Sequence, residues 1–328
     1  MSYTLNQKIL LSLRKVYSFF MRKKDQYPLQ VNDPDVASKL ISDKILSGEP
    51  LMVSRFGAVE IGCVANYLGI KSINHRPLSF IRGETPEWWW NEGIRYCMKN
   101  NAGFFPNDDD NLKKFSELIL EDIKIIDVLL SWQSKEVLFK DYLKKSVSVG
   151  FIWIDPFWSK VPWTQYLKGK SVLVVHPFSD EIDDQYSHNR EYIHNNRQIL
   201  PEFKLITLKA VQSIGGTEKF STWFDALDYM KQQIDGIDFD IALIGCGAYG
   251  MPLAAHIKRS GKQAIHFGGS LQLLFGIRGK RWETSEYGKT YFTDGIGKYP
   301  SLVNNYWIRP YETSKFKGAE KVEGGCYW

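Results

Sequence analysis

Residues 241–269 read IALIGCGAYGMPLAAHIKRSGKQAIHFGG, and the order of textures within them decides the fold. With the two residues before it, the apolar run FDIALIG predicts a strand; a helix follows over residues 249–260, and QAIHFG predicts a second strand. Continuous apolar strands separated by helices are covered on both faces, as in a parallel sheet. Between the first strand and the helix, Gly245-Cys246-Gly247-Ala248-Tyr249-Gly250 fits G-x-G-x-x-G. Such a turn lets backbone N–H groups and a helix N-terminus approach a pyrophosphate. The other half of a dinucleotide fingerprint is missing. About 20 residues on, the next strand ends Ile265-His266-Phe267, with no acid for a ribose hydroxyl. Three readings stay open: a nicotinamide dinucleotide site, a loop beside a nucleotide diphosphate or sugar, or a tight turn alone.

The same texture extends outward from this stretch. VSVGFIWID predicts a strand ending at Asp155, SVLVVH one ending at His176, and FKLITL a third, with helices over residues 183–199 and 219–234. Upstream, a helix runs from Pro34 to Gly48, PLMVS reads as a buried strand, and a helix covers residues 59–68. Thr85-Pro86-Glu87 has the form of an N-cap with Pro at the first helical position, opening a helix to about Asn100. Asp108 to Asp110 start another, whose stripe of Leu118, Ile119, Ile123, Ile126 and Leu130 faces a core. The expected fold is α/β and Rossmann-like, a mostly parallel sheet with helices on both faces. Its divisions are an N-terminal helix within 1–30 and one domain over 31–328. That domain comprises an N-terminal part 31–145, a Rossmann-like part 146–277 and a C-terminal wrap 278–328.

Composition bounds the function classes. Hydrophobic content of 44% and charged content of 24% are globular values. The net charge of +5 favours anionic small molecules or an anionic membrane surface and gives no ground for a nucleic-acid partner. Aromatics reach 14%, with 11 Trp and 17 Tyr, which suits sugar stacking and core packing alike. Cys63, Cys97, Cys246 and Cys326 are far apart and form no C-x-x-C pair. Neither a disulfide framework nor a zinc site is expected, and a reducing cytoplasm is the expected home. No signal peptide and no membrane span are expected. On a helical wheel of residues 8–22, Ile9, Leu10, Leu13, Val16, Tyr17, Phe20 and Met21 share one arc. Lys8, Ser12, Lys15, Ser18 and Arg22 share the other. Such a helix either lies on an anionic membrane surface or packs on the protein itself or a second subunit.

In LMVSRFGAVEIG, residues 51–62, an apolar run ends in Arg55, Gly57 breaks the pattern and a lone Glu60 follows. Enzyme site, ion-paired turn and solvated edge all fit that pattern. His176 ends a strand in VVHPFSDEIDDQY, where a histidine can titrate near neutral pH or donate to phosphate. Gln185 and Arg190 follow on the next loop and helix. Asp155 ends another expected strand and faces the same crevice, or caps the turn before Pro156. Trp88, Trp89 and Trp90 are read as core packing or an acceptor platform.

With these residues in hand, the chain resembles the GT-D glycosyltransferases, whose members carry Arg-Phe-Gly-Asp-Gly-Glu after an early strand. Here that stretch is Arg55-Phe56-Gly57-Ala58-Val59-Glu60, and residues 241–269 repeat the family's later strand, glycine turn, helix and short strand. The tail VEGGCYW is similar to those of uncharacterised proteins from bacterial surface-polysaccharide gene clusters. The resemblance implies a GT-D-like transferase that passes a sugar from a nucleotide-diphosphate donor to a glycan or lipid-linked acceptor. In the family an Asp-x-Glu motif assists the donor, usually with a divalent ion. Glu60 stands where the glutamate stands, and Ala58 replaces the aspartate. Alanine ligates nothing, so Mn²⁺ or Mg²⁺ would have Glu60 alone as its motif ligand; otherwise Glu60 is a base for the acceptor hydroxyl. The expected catalytic residues are Glu60, His176 and Asp155. The expected donor-binding set is Arg55, Gly57, Gln185, Arg190, Gly245, Gly247, Tyr249, Gly250 and His266.

The leading expectation is a cytoplasmic glycosyltransferase of surface-polysaccharide synthesis (capsule or O-antigen), peripheral on the inner face of the membrane if residues 8–22 dock there. Two alternatives stand beside it. One is an NAD(P)-dependent oxidoreductase or sugar-nucleotide modifying enzyme; the other is a non-catalytic partner in polysaccharide assembly.

Overall fold

A computed structural model describes residues 3–21, 27–214, 219–284, 299–315 and 325–328. Arg22 of the N-terminal wheel and much of the wrap expected over 278–328, including Val322 to Gly324, lie outside the described residues. In chain order the longer elements are helix α1 (Leu5–Phe20), α2 (Pro34–Leu46), strand β1 (Leu51–Ser54), α3 (Ala58–Lys71), α4 (Pro77–Ile81), α5 (Glu92–Asn100) and α6 (Asp109–Asp122). There follow β2 (Val128–Ser131), β3 (Val147–Gly150), β4 (Ser171–His176), α7 (Ser179–Ile193), β5 (Lys204–Lys209), α8 (Trp223–Asp235), β6 (Ile241–Ile244), α9 (Gly250–Arg259), β7 (Gln263–His266) and α10 (Leu271–Leu274). No helix among the described residues is long and apolar enough to cross a membrane.

The strands form one seven-stranded sheet in the order β3-β2-β1-β7-β6-β4-β5, with every pairing parallel. The fold is α/β and Rossmann-like, as expected. Its central strands β1, β6 and β7 are buried at every step because both faces are covered, and the two-residue alternation sorts side chains into two cores. Leu173, Val175, Ala242 and Ile244 join one core with α3, α6, α8 and α9. Val172, Val174, Ile241 and Leu243 join the other with α2, α7 and α10. At the centre, β1 and β6 lead into helices of the first layer, while β7, lying between them, leads into α10 in the second. Loops that part in this way open a crevice beyond the carboxyl ends of the strands.

Three local expectations are corrected. The helix starting at Asp109 stops at Asp122, and Leu130, expected on its stripe, lies in the buried strand Val128–Ser131 beside β1; short apolar runs do not distinguish the two. The helix expected from Thr85 begins at Glu92, where the Asn91 side chain accepts from the Ile94 N–H. The Asn66 amide donates to the carbonyls of Glu87 and Trp89 and accepts from Asn91 N–H, which holds residues 87–91 out of a helix. In that turn Trp88 stacks on His75 and Trp90 on Tyr67. Finally, the strand expected to end at Asp155 ends at Gly150, and a 3₁₀ turn over Phe151–Ile154 carries the chain away from the sheet.

Gln185 is part of this frame. Its amide nitrogen donates to the carbonyls of Phe275, Gly276 and Tyr306, at 3.2, 3.3 and 2.9 Å, tying α7 to the segment after α10 and to the tail. Gln185→Ala removes these three bonds and takes the donor from the buried Phe275 carbonyl, so chemical denaturation should show a loss of about 1–3 kcal/mol.

Candidate functional site

Beyond the carboxyl ends of β1, β4, β6 and β7 lies a cavity of about 210 Å³. It is lined by Arg55, Phe56, Gly57, Ala58, Val59, Glu60, Trp132, His176, Gly245, Cys246, Gly247, Ala248, Tyr249 and His266, and by Arg281, Tyr327 and Trp328 from the tail. The sheet thus brings together two stretches almost 200 residues apart in the chain. The volume is below the roughly 300–1,000 Å³ of pockets for drug-sized ligands. It suits a diphosphate or one sugar ring, with the remainder of a larger ligand in the mouth.

Arg55 leaves the tip of β1 and is half-buried. Its guanidinium carbon lies 4.9 Å from the ring centre of Trp132 and 5.3 Å from that of Phe151. Its Nε donates to the Phe56 carbonyl at 3.4 Å, the long end of the hydrogen-bond range. Among the described residues it forms no ion pair within 4.0 Å, so the salt-bridged turn with Glu60 is not what these two residues make. The aromatic cradle is itself fixed. Trp132 Nε1 donates to the Phe56 carbonyl at 2.8 Å, and the buried carboxylate of Glu136 accepts from Trp132 N–H, Gln133 N–H and the Ser131 hydroxyl. Arginine held by aromatic faces, its two terminal NH₂ groups without a hydrogen bond among the described residues, is arranged to bind an anion.

Glu60 is the third residue of α3, whose N-cap is Gly57. Its carboxylate folds back over that glycine: a Cβ placed on Gly57 would lie 2.0 Å from Oε2. Burial raises its pKa, opposed by the backbone N–H groups of Glu60 and Val59 and by Arg55. At the motif's other position, exposed Ala58 turns a methyl group to the cavity. These residues do not fit a divalent ion. The remaining carboxylates that feel Arg55, Glu136 and Asp155, are buried and occupied by protein donors. No group of three or more His, Cys, Asp and Glu among the described residues could hold an ion.

The glycine turn rests on two imidazoles. A Cβ on Gly245 would meet His176 Cδ2 at 2.7 Å and the Gly268 carbonyl at 2.8 Å; one on Gly250 would meet His266 Nε2 at 2.3 Å. Gly247 between them has φ of 60°, the left-handed region that glycine adopts freely. Both histidines are buried and held neutral, with pKa values pushed down to about 3. Burial is the cause for each, and Arg55 adds to it at His266. His176 therefore does not titrate near neutral pH. Its Nδ1 accepts from Phe178 N–H at 3.0 Å, which leaves the proton on Nε2 as a fixed donor. His266 Nδ1 shares a hydrogen bond with Ser54 Oγ at 3.1 Å. Tyr249 is buried, bonded to Ser213 Oγ at 2.8 Å and stacked on Trp223.

Four expected residues stand outside the cavity lining, Gly250 among them, packed on the His266 ring behind the turn. Gln185 has the structural role already described. Arg190, on α7, pairs with Glu191 at 3.2 Å and lies over the Tyr186 ring. Asp155, displaced by the 3₁₀ turn, is buried and accepts from Ser270 Oγ at 2.7 Å and from the Tyr299 hydroxyl. The sequence reading missed Trp132, Glu136, Arg281 and Tyr327. For the first two the signal was present, since Gln133 to Glu136 has capping-box spacing after an apolar run. The tail residues had none. Arg281 donates to the Tyr327 hydroxyl at 3.2 Å, a contact that only the folded wrap creates.

Two outcomes test this geometry. Gly250→Ala must displace the His266 ring and should cost about 1–3 kcal/mol in denaturation, with loss of ligand binding in the cavity. Burial raises the Asp155 pKa to about 6 against hydrogen bonds from Tyr299 and Ser270 and the charge of Arg55. An acid raised in this way stabilises most below its unfolded pKa and loses that contribution as pH rises to the folded one. Between about pH 4 and 6 the wild type should lose about 3 kcal/mol that Asp155→Asn does not, read as a converging or crossing pair of urea midpoints.

Comparison with known proteins accords with this arrangement. Residues 163–274, from the turn before β4 to the end of α10, match the family model GT-D-like, described as a GT-D fold-like domain. No curated protein and no solved structure matches the chain. The match covers His176, the 245–250 turn and His266, and it supports assigning the chain, which carries a GT-D-like domain over residues 163–274, to the GT-D type glycosyltransferases.

Proposed function

We propose that the protein transfers a sugar from a nucleotide-diphosphate donor to a glycan or lipid-linked acceptor in bacterial surface-polysaccharide synthesis, and that it does so without a divalent metal. The observation that carries the reading is Arg55: a half-buried guanidinium, unpaired among the described residues, in a cavity that also holds the glycine turn at the start of α9. In glycosyl transfer the bond from the anomeric carbon to the diphosphate oxygen breaks and negative charge collects on the leaving group. The Arg55 fork stabilises that charge through charge-assisted hydrogen bonds, with the Nε2–H of His176 and the N–H groups of the turn as neutral donors. Glu60 is the one carboxylate side chain of the lining among the described residues. It takes the proton of the acceptor hydroxyl as the new carbon–oxygen bond forms, a role that a raised pKa favours. The GT-D-like domain supports the reaction class; donor, acceptor and metal independence belong to this reading. The oxidoreductase alternative gains no support from the end of β7, where buried His266 occupies the place of a ribose-binding acid.

A thermal-shift series with UDP-, GDP-, CMP- and dTDP-linked compounds tests the donor site. One of them should stabilise the protein equally in EDTA and in Mn²⁺, and Arg55→Ala should weaken that binding roughly 10- to 100-fold. If Mn²⁺ is required for the shift, the metal-free reading is wrong. Transfer should fall about 10²–10⁴-fold in Glu60→Gln. The wild-type rate should decline on acidification at a higher pH than the ordinary carboxylate range, because Glu60 must be ionised to act. A pH profile with its acid limb unchanged in Glu60→Gln would remove Glu60 from the mechanism.

A further inference from the structure

The N-terminal helix carries its apolar stripe on the wrong side for packing. Helix α1 rests on the body through Tyr3, Gln7, Leu10, Arg14 and Tyr17, all half-buried. Tyr3 accepts from Glu92 N–H at 2.9 Å, and Arg14 lies 4.7 Å from the Phe80 ring centre on α4 and 3.7 Å from Glu87. The other stripe, Leu5, Ile9, Leu13, Val16 and Phe20, follows helical spacing on a different face and is exposed, Leu5 at 73% and Phe20 at 75%. No residue of α1 is fully buried. Its body-facing side includes the half-buried Leu10 and Leu11 beside aromatic and polar residues, while Leu5, Ile9, Leu13, Val16, Phe19 and Phe20 are left in water.

We infer that this face of α1 seats the protein on an anionic phospholipid bilayer, lying in the interface plane with its apolar stripe toward the acyl chains. Charge selects this occupant. Lys8 and Lys15 are exposed, and residues 3–21 contain no Asp or Glu. The stretch 71–83, which includes α4 beneath α1, likewise has Lys71, Arg76 and Arg82 and no acid, and leaves Ile73 and Leu78 exposed. A second copy apposed helix to helix would set these cations against each other with no carboxylate between them. An anionic headgroup layer pairs them, and the 16-residue helix, about 24 Å long, lies flat there with both stripe and lysines engaged. The inference is independent of donor and acceptor.

Sedimentation of the full chain with phosphatidylcholine vesicles, with and without one quarter phosphatidylglycerol, tests it. Binding should require the anionic lipid and weaken with salt. Lys8→Gln with Lys15→Gln should reduce it roughly 20- to 30-fold, and Leu13→Glu with Phe20→Glu should abolish it. Because these side chains are exposed, all variants should keep the wild-type melting temperature and circular dichroism. The inference is overturned if the unmodified chain stays in the supernatant, if it binds neutral vesicles as well, or if the variants bind as the wild type does. It is also overturned if the chain is a dimer that the Leu13 and Phe20 changes dissociate, which would make a second copy the occupant.

Discussion

A half-buried cation that has no carboxylate partner among the described residues sets the electrostatics of this molecule's central cavity. Partial removal of the Arg55 guanidinium from water is costly, and the structure offsets that cost with the faces of Trp132 and Phe151 instead of an acid. The surrounding groups respond to it. Arg55 opposes the upward pKa shifts that burial imposes on Glu60, Glu136 and Asp155, and it helps to keep His266 neutral. Two of those acids are committed to hydroxyl or backbone donors, and Glu60 is turned toward its own helix N-terminus. The positive charge is therefore left facing the cavity.

The frame that holds this arrangement is the middle of the sheet. Strand β1 is added between β2 and β7, and its register with β7, Leu51 against Gln263 and Val53 against Ile265, sets Ser54 and Arg55 beside His266. Pairing of β6 with β7, Ile244 against His266, brings the glycine turn over the same ring. The contact between Gly250 and His266 then requires the missing Cβ. Residues 325–328 close the cavity from the far side, since Gln272 donates to the Tyr327 carbonyl and Trp328 packs edge-on against Phe178.

The replacement of a motif aspartate by Ala58 is compatible with a different distribution of charge around the same reaction. A diphosphate leaving group can be met by a metal ion or by fixed cations and N–H dipoles, and the cavity contains the second set. The cost of that solution is geometric: arginine must be held still, which is the work of Trp132 and, behind it, of the three donors gathered by Glu136.

The sequence by itself determined the α/β class and the parallel sheet, and it marked residues 55–60 and the 245–250 turn, which meet at one cavity, because continuous apolar runs, helical periodicity and glycine spacing are local signals. It also contained the two arcs of α1, but not which side chains face the body; Tyr3 and Arg14 decide that through contacts with α4 and α5, so Leu10 and Tyr17 of the apolar arc turn inward and Ile9, Leu13, Val16 and Phe20 outward. Folding decided the roles of Gln185, Arg190 and Asp155, which lie close in sequence to strand tips yet leave the cavity because α7 turns them away or a 3₁₀ turn intervenes. It likewise brought Trp132 to the site from beside a capping box, and Arg281 and Tyr327 from a tail with no motif. Residue types report what a side chain can do chemically, whereas its neighbours follow from strand order and register, which pair residues from 19 (Val128 with Val147) to 212 (Leu51 with Gln263) positions apart and leave no trace in local spacing.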